Sequence, residues 1–265
     1  MLRTMNVREF ALRVVTSSDL EIKLAPAPPE LTEPVAGEPL RLDAPARTES
    51  LRIRPGRQVK VPPIEGIGDP AQRARILHAL ANHELQAAEL FAWALLAFAD
   101  APLDFLRGLL RILDDEQRHT RMYAARVRAL GHELGDFPVT GYFWGKVPDI
   151  RTPLDFVCAM SLTWENANLD HTAEYSTAAH AVGDLKTARV IETIGRDEIE
   201  HVRFGWAWLQ RFKGESDAWT TYRHSLTWPL HPARAKGAQF RVDRRRAAGL
   251  DDDFIQHLES SVRPD

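Results

Sequence analysis

Cysteine is nearly absent from this sequence: Cys158 is the single one in 265 residues. That excludes an internal disulfide framework and any CxxC metal site. No apolar run approaches the roughly 18 residues of a membrane span. The opening residues Met1-Leu2-Arg3-Thr4-Met5-Asn6 lack the apolar stretch of a signal peptide. These absences set the expectation of a cytoplasmic protein with no membrane partner. An excess of one charge is missing too, since the net charge is −3, and this gives no global argument for nucleic-acid binding. No flavin or nicotinamide fingerprint appears either.

Proline is present but uneven. Ten of the 17 prolines lie between Pro26 and Pro70. The reading is therefore a Pro-rich extension over 1–68, opened by a short amphipathic helix at Val7–Thr16 and otherwise irregular. Alternation in Leu51-Arg52-Ile53-Arg54 permits a short strand. From residue 69 the texture changes to four long helices. Asp69-Pro70 starts the first, which runs to about Ala99. Pro102 starts the second, stopped by Gly131. Thr152-Pro153 starts the third, which ends before Gly183. Asp184 caps the fourth, which ends at Gly214. Short links make each pair an antiparallel hairpin, and the longer stretch 132–151 joins the hairpins. The predicted class is all-α, a ferritin-like four-helix bundle over 69–214. A basic, aromatic extension over 215–265 closes with a helix near Asp251–Val262.

Two Glu-x-x-His motifs occur, Glu116-Gln117-Arg118-His119 and Glu198-Ile199-Glu200-His201. At i and i+3 both side chains share a helix face. One such motif is worth little, so position carries the argument. Glu84 lies 14 residues after Pro70, Glu116 14 after Pro102, Glu165 12 after Pro153 and Glu198 14 after Asp184. At about 1.5 Å per residue, all four sit roughly 20 Å along their helices, each inside an apolar stripe. Four inward carboxylates in one layer need compensation. Two divalent cations compensate them, and two imidazoles complete the shell. The predicted ligands, which are also the predicted catalytic residues, are Glu84, Glu116, His119, Glu165, Glu198 and His201. Imidazole with carboxylate suits iron first, with manganese–iron or dimanganese as alternatives.

At these residues the chain resembles the ferritin-like dimetal-carboxylate superfamily, whose pattern is Glu, Glu-x-x-His, Glu, Glu-x-x-His over four helices. The intervals resemble those of bacterioferritins, soluble diiron monooxygenases and ribonucleotide reductase small subunits. Asp115-Glu116-Gln117-Arg118-His119 looks like the D-E-x-R-H signature of the oxygen-activating members. The resemblance implies that Asp115 and Asp197 orient ligand histidines from the facing helix. It also places Tyr123 where the reductase subunits carry a radical tyrosine, although a core tyrosine bonded near the site is the plainer reading. The whole chain, including His83-Glu84-Leu85-Gln86-Ala87-Ala88-Glu89-Leu90 and Pro232-Ala233-Arg234-Ala235-Lys236-Gly237, resembles a bacterial ferritin-like family of unassigned activity. Its characterised relatives are hydroxylases of the tRNA-modifying MiaE type.

The leading expectation is an oxidoreductase of monooxygenase or oxidase type: a dimetal centre with dioxygen as co-substrate and electrons from an external partner. The small-molecule or RNA substrate is unspecified, and a homodimer is left open. The alternatives are a ferroxidase or iron-storage protein of bacterioferritin type, and a tRNA-modifying hydroxylase. For the last, Arg52, Arg54, Arg57 and Lys60, with Arg241 and Arg244-Arg245-Arg246, offer two basic stretches. A rubrerythrin-like peroxidase fits less well, because one cysteine cannot build a rubredoxin centre. Leu169 stands where monooxygenases often carry threonine, leaving Asn168 and Thr172 to supply polarity. Glu89 is a weaker ligand candidate. His83, His171 and Glu200 read as supporting or surface groups. Small Gly205 and Ser161 leave space for a pocket.

Overall fold

Aspartate and proline set the starts of the long helices where local chemistry requires. In the computed structural model, which describes residues 5–28, 31 and 37–263, Asp69 accepts from the Gln72 N–H and Pro70 opens α3. Residues 1–4 and part of the Pro-rich segment, 29–30 and 32–36, lie outside the description, so the readings made there stay expectations. The elements are α1 (Val7–Thr16), α2 (Leu20–Leu24), β1 (Ile53–Arg54), α3 (Pro70–Ala97), α4 (Leu103–Ala129), β2 (Val139–Thr140), α5 (Pro153–Ala159), α6 (Asn166–Ala181), α7 (Leu185–Phe212), α8 (Ala218–His224), α9 (Val242–Ala247) and α10 (Asp252–Ser260). The class is all-α, and no described helix is long and apolar enough to cross a membrane. The chain divides into two compact units, 1–148 and 149–265.

In the first unit, α3 and α4 form a hairpin joined at Phe98–Pro102. Every residue from Glu84 to Ala99 is buried, the pattern of a helix covered all round. The N-terminal segment supplies part of that cover. Helix α1 packs on α3 and α2 packs on α4. Asn6 and Glu9 close a capping box on α1, which buries Val7, Phe10, Val14 and Val15. The expected strand near residue 53 forms with a partner the sequence does not reveal, pairing in parallel with Val139–Thr140. Leu51 and Val139 then pack with Leu24 and Leu85. Asn82 Nδ2 donates to the Thr140 carbonyl at 3.0 Å, tying the ribbon to α3.

In the second unit, the predicted third helix is not one regular helix. Between α5 and α6 it widens into a π-helical turn at Met160–Glu165. Such widening disturbs the regular carbonyl ladder. The Cys158 carbonyl takes a hydrogen bond from Thr163 Oγ1 at 2.7 Å, and that hydroxyl lies 2.9 Å from the Tyr222 hydroxyl on α8. Phe254, Ile255 and Leu258 of α10 join Leu162, Leu169, Val202 and Leu209 in one core.

The C-terminal arginines expected as a basic surface are engaged within this unit. Arg245 is fully buried against Asp170 at 2.7 Å. Arg244 donates to the Leu169 carbonyl at 2.8 Å. Arg246 pairs with Asp252 and Arg241 with Asp243.

One titration follows from the first unit. His78 is buried, and its Nε2 accepts from the Gly135 N–H at 2.8 Å. That bond requires a neutral ring nitrogen. Burial pushes the imidazole pKa down to about 4. The unfolded chain protonates near 6.5, so between pH 6.5 and about 4 it binds the extra proton and stability falls as pH falls. Urea unfolding at pH 7 and pH 4.5 is expected to show a loss on the order of 1–2 kcal/mol in the parent from this group. In His78→Gln that portion of the loss disappears.

Candidate metal centre

Each unit carries its own cluster of two carboxylates and one imidazole. In the first, Glu84 of α3 meets Glu116 and His119 of α4. His119 Nδ1 lies 3.5 Å from Glu116 Oε2 and 3.7 Å from Glu84 Oε2. In the second, Glu165 ends the π-helical turn while Glu198 and His201 stand on α7, with His201 Nδ1 3.4 Å from Glu198 Oε2. All six side chains are buried, and within each triad the ligand atoms lie inside 4.8 Å of one another.

These separations exceed a good hydrogen bond but suit shared coordination. Two atoms each about 2.1 Å from an ion sit roughly 3.0 Å apart at a right angle and roughly 3.6 Å apart at 120°. Charge points the same way. Two ionised carboxylates and one neutral imidazole make a site of −2, which one divalent cation neutralises. Glu198 Oε2 is buried without a hydrogen-bond partner among the described residues, so it retains a lone pair for an ion. The donor set fits metal binding: both triads offer nitrogen and oxygen but no thiolate. Cys158 is buried in the core, where burial pushes its thiol up to about 12.

The elements explain how these side chains are held. The three-residue spacing on α4 and α7 puts each Glu and its His on one face. Gln117 Nε2, buried beside Glu116 in sequence, donates to the Lys23 carbonyl at 2.6 Å and fixes α4 from its other side. In the second unit Asn168, read from sequence only as polarity, donates to Glu198 Oε1 at 3.2 Å and reaches Glu165 Oε2 at 3.5 Å. It spans both carboxylates of its triad. Its geometry depends on the π-helical turn, which the sequence reading did not anticipate.

Asp115 bonds Arg118 at 2.6 Å, with both side chains partly exposed. Asp197 is partly buried on α7, and Tyr123 is buried one turn beyond His119. His83 and Glu200 are exposed, and His171 lies 3.5 Å from Glu174. Glu89 is committed elsewhere: it is fully buried and paired with Lys23 at 2.9 Å and Arg47 at 2.8 Å. Burial opposes its ionisation, but the two cations outweigh burial and hold its pKa below the ordinary value. Thr172 accepts from Arg244 at 2.8 Å, while Leu169 is buried in the core.

A family model described as "Protein of unknown function (DUF455)" matches residues 7–256. The chain belongs to this family. No curated protein and no solved structure matches the chain. The DUF455 match takes in both triads and the elements from α1 to α9.

Gly205 and Ser161 do not leave a pocket. A Cβ on Gly205 would lie 2.2 Å from the Ser161 Cβ, so the glycine lets α7 approach the π-helical turn closely. Gly205→Ala is expected to cost about 1–3 kcal/mol by forcing the two apart. Thermal unfolding measures that loss, and parent-like stability would show that the turn relaxes freely.

Proposed function

We propose that the protein carries a dimetal centre of the ferritin-like type that its sequence resembles, iron first, with one ion for each triad. That centre makes the protein an oxidoreductase using dioxygen. The observation that carries this reading is the repetition of one buried Glu, Glu, His cluster in each unit, both built on a Glu-x-x-His helix. The register of the four glutamates, 12 to 14 residues into their helices, supports the resemblance to the dimetal-carboxylate pattern.

Glu84, Glu116 and His119 would hold one ion, and Glu165, Glu198 and His201 the other. When bound, the metal pair supplies electrons to dioxygen for oxidation or hydroxylation of a C–H bond, replenished by an external donor. The chain's own contribution is orientation and exclusion of water. Asn168 holds Glu198 and Glu165 toward one another. Fully buried Leu162, Leu169, Ile194 and Val202 keep the neighbourhood of the second triad apolar, where electrostatic interactions are stronger than in water. Asp115 and Asp197 are assigned to steadying the histidines, by resemblance to the oxygen-activating members.

Iron oxidation and storage shares the same ligands. It is the less favoured reading, because α1 and α2 cover parts of α3 and α4 that a shell of little more than bundles would leave for neighbouring copies. The RNA-modifying reading loses part of its motive, since Arg245 is buried and Arg241 and Arg246 pair with aspartates.

The deciding measurement is metal content after anaerobic reconstitution with ferrous iron, followed by absorbance on adding oxygen. About two ions per chain are expected, with an oxygen-dependent visible band. Glu116→Ala and His201→Ala are each expected to lose metal and the band. Protein that refuses iron and manganese, with both variants behaving like the parent, defeats the proposal.

A further inference from the structure

The helices that supply a single ligand, α3 and α6 with the π-helical turn before it, share a second feature. Five residues beyond the ligand each carries another fully buried carboxylate: Glu89 after Glu84, and Asp170 after Glu165. Position i+5 lies about 140° round a helix from position i, so these groups sit on a different flank from the ligand. Each is gripped by the two-pronged guanidinium of an arginine from outside the long helices.

Arg47 donates from Nε to Glu89 Oε1 at 3.1 Å and from Nη2 to Oε2 at 2.8 Å. Trp144 Nε1 adds a bond to Oε2 at 2.9 Å, and Lys23 an ion pair to Oε1 at 2.9 Å. Arg245 donates from Nη1 to Asp170 Oδ1 at 2.7 Å and from Nη2 to Oδ2 at 2.9 Å. The backbone N–H groups of Arg241 and Gly237 complete that carboxylate at 2.7 and 2.9 Å.

Both arginines also reach back toward the ligand's own turn. Arg47 Nη1 bonds Asn82 Oδ1 at 2.7 Å, two residues before Glu84. Arg245 Nη2 bonds the Asn166 carbonyl at 3.2 Å, one residue after Glu165. Each guanidinium therefore fixes the rotation and the axial position of the turn that presents the ligand. Buried ion pairs contribute little net stability compared with apolar residues of equal volume, because desolvation offsets the attraction. Their distinctive property is geometric: a bidentate fork tolerates little rotation of its partner.

We propose that Arg47 and Arg245 are positioning residues of the metal centre, each acting through its buried carboxylate to aim Glu84 or Glu165. The inference rests on reading the triads as metal sites. It assigns the segments outside the long helices a share in metal affinity, with the first unit's latch serving the first triad and the second unit's latch the second.

The test uses Arg47→Lys and Arg245→Lys in the full chain, which keep the charge but lose the fork. Ferrous iron is titrated anaerobically against a chelator, beside thermal unfolding of the metal-free proteins. Each single variant is expected to keep a cooperative transition and to weaken one of the two binding steps by about tenfold or more, sparing the other. The double variant weakens both.

Parent-like affinities in all three overturn the inference, as does an equal weakening of both steps in each single variant. If a lysine variant fails to fold, Trp144→Phe removes one donor from Glu89 and leaves the ion pair. A weaker single step then supports the inference, and an unchanged titration overturns it. A parent that binds no metal fails differently: it removes the dimetal reading itself.

Discussion

A carboxylate taken out of water must find positive charge or donors, and this chain buries six of them among its described residues: Glu84, Glu89, Glu116, Glu165, Asp170 and Glu198. The rest of the architecture is arranged around that constraint. Two of the six are met by side-chain cations, Glu89 by Arg47 with Lys23 and Asp170 by Arg245. The other four gather in pairs, each pair beside one histidine. Two carboxylates beside an imidazole form a group that could hold a metal ion, which the latched carboxylates do not. The same burial cost is thus answered in two ways, one set for structure and one for the proposed chemistry.

That division was half legible in the sequence. Helix starts are local matters, decided by Asp and Thr side chains bonding the next few N–H groups and by proline's fixed φ. Asp69-Pro70, Thr152-Pro153 and Asp184 therefore marked α3, α5 and α7 correctly. The clustered glutamates were legible as buried groups because a glutamate inside an apolar stripe is costly wherever the helix ends up. Glu89 and Asp170 obey the same rule but failed to announce their partners, which are 42 and 75 residues away.

Longer-range contacts hid the rest. The π-helical turn is bound up with Thr163 meeting both the Cys158 carbonyl and the hydroxyl of Tyr222, 59 residues on. No helical period encodes such a meeting. The run Arg244-Arg245-Arg246 reads as one basic patch, yet its members go to a carbonyl with a threonine, to a buried aspartate and to Asp252. Small residues misled in a similar way. Gly205 and Ser161 suggested space, while their smallness serves close approach.

The terminal segments then acquire a role different from that of lids over an entrance. Lys23 is threaded into α1 through the Val14 and Val15 carbonyls at 2.7 and 3.3 Å, and into α3 through Glu89. Gln117 of α4 holds its carbonyl. One residue of the N-terminal segment thereby links three helices, two of which carry the first triad. A lid must detach at little cost, whereas withdrawing Lys23 would strip a buried carboxylate of one of its two cations and leave a buried amide without its acceptor. Any opening that admits a substrate to the proposed centre must therefore use surface other than this strap, and the strap's work is to keep the helices of the first triad in register.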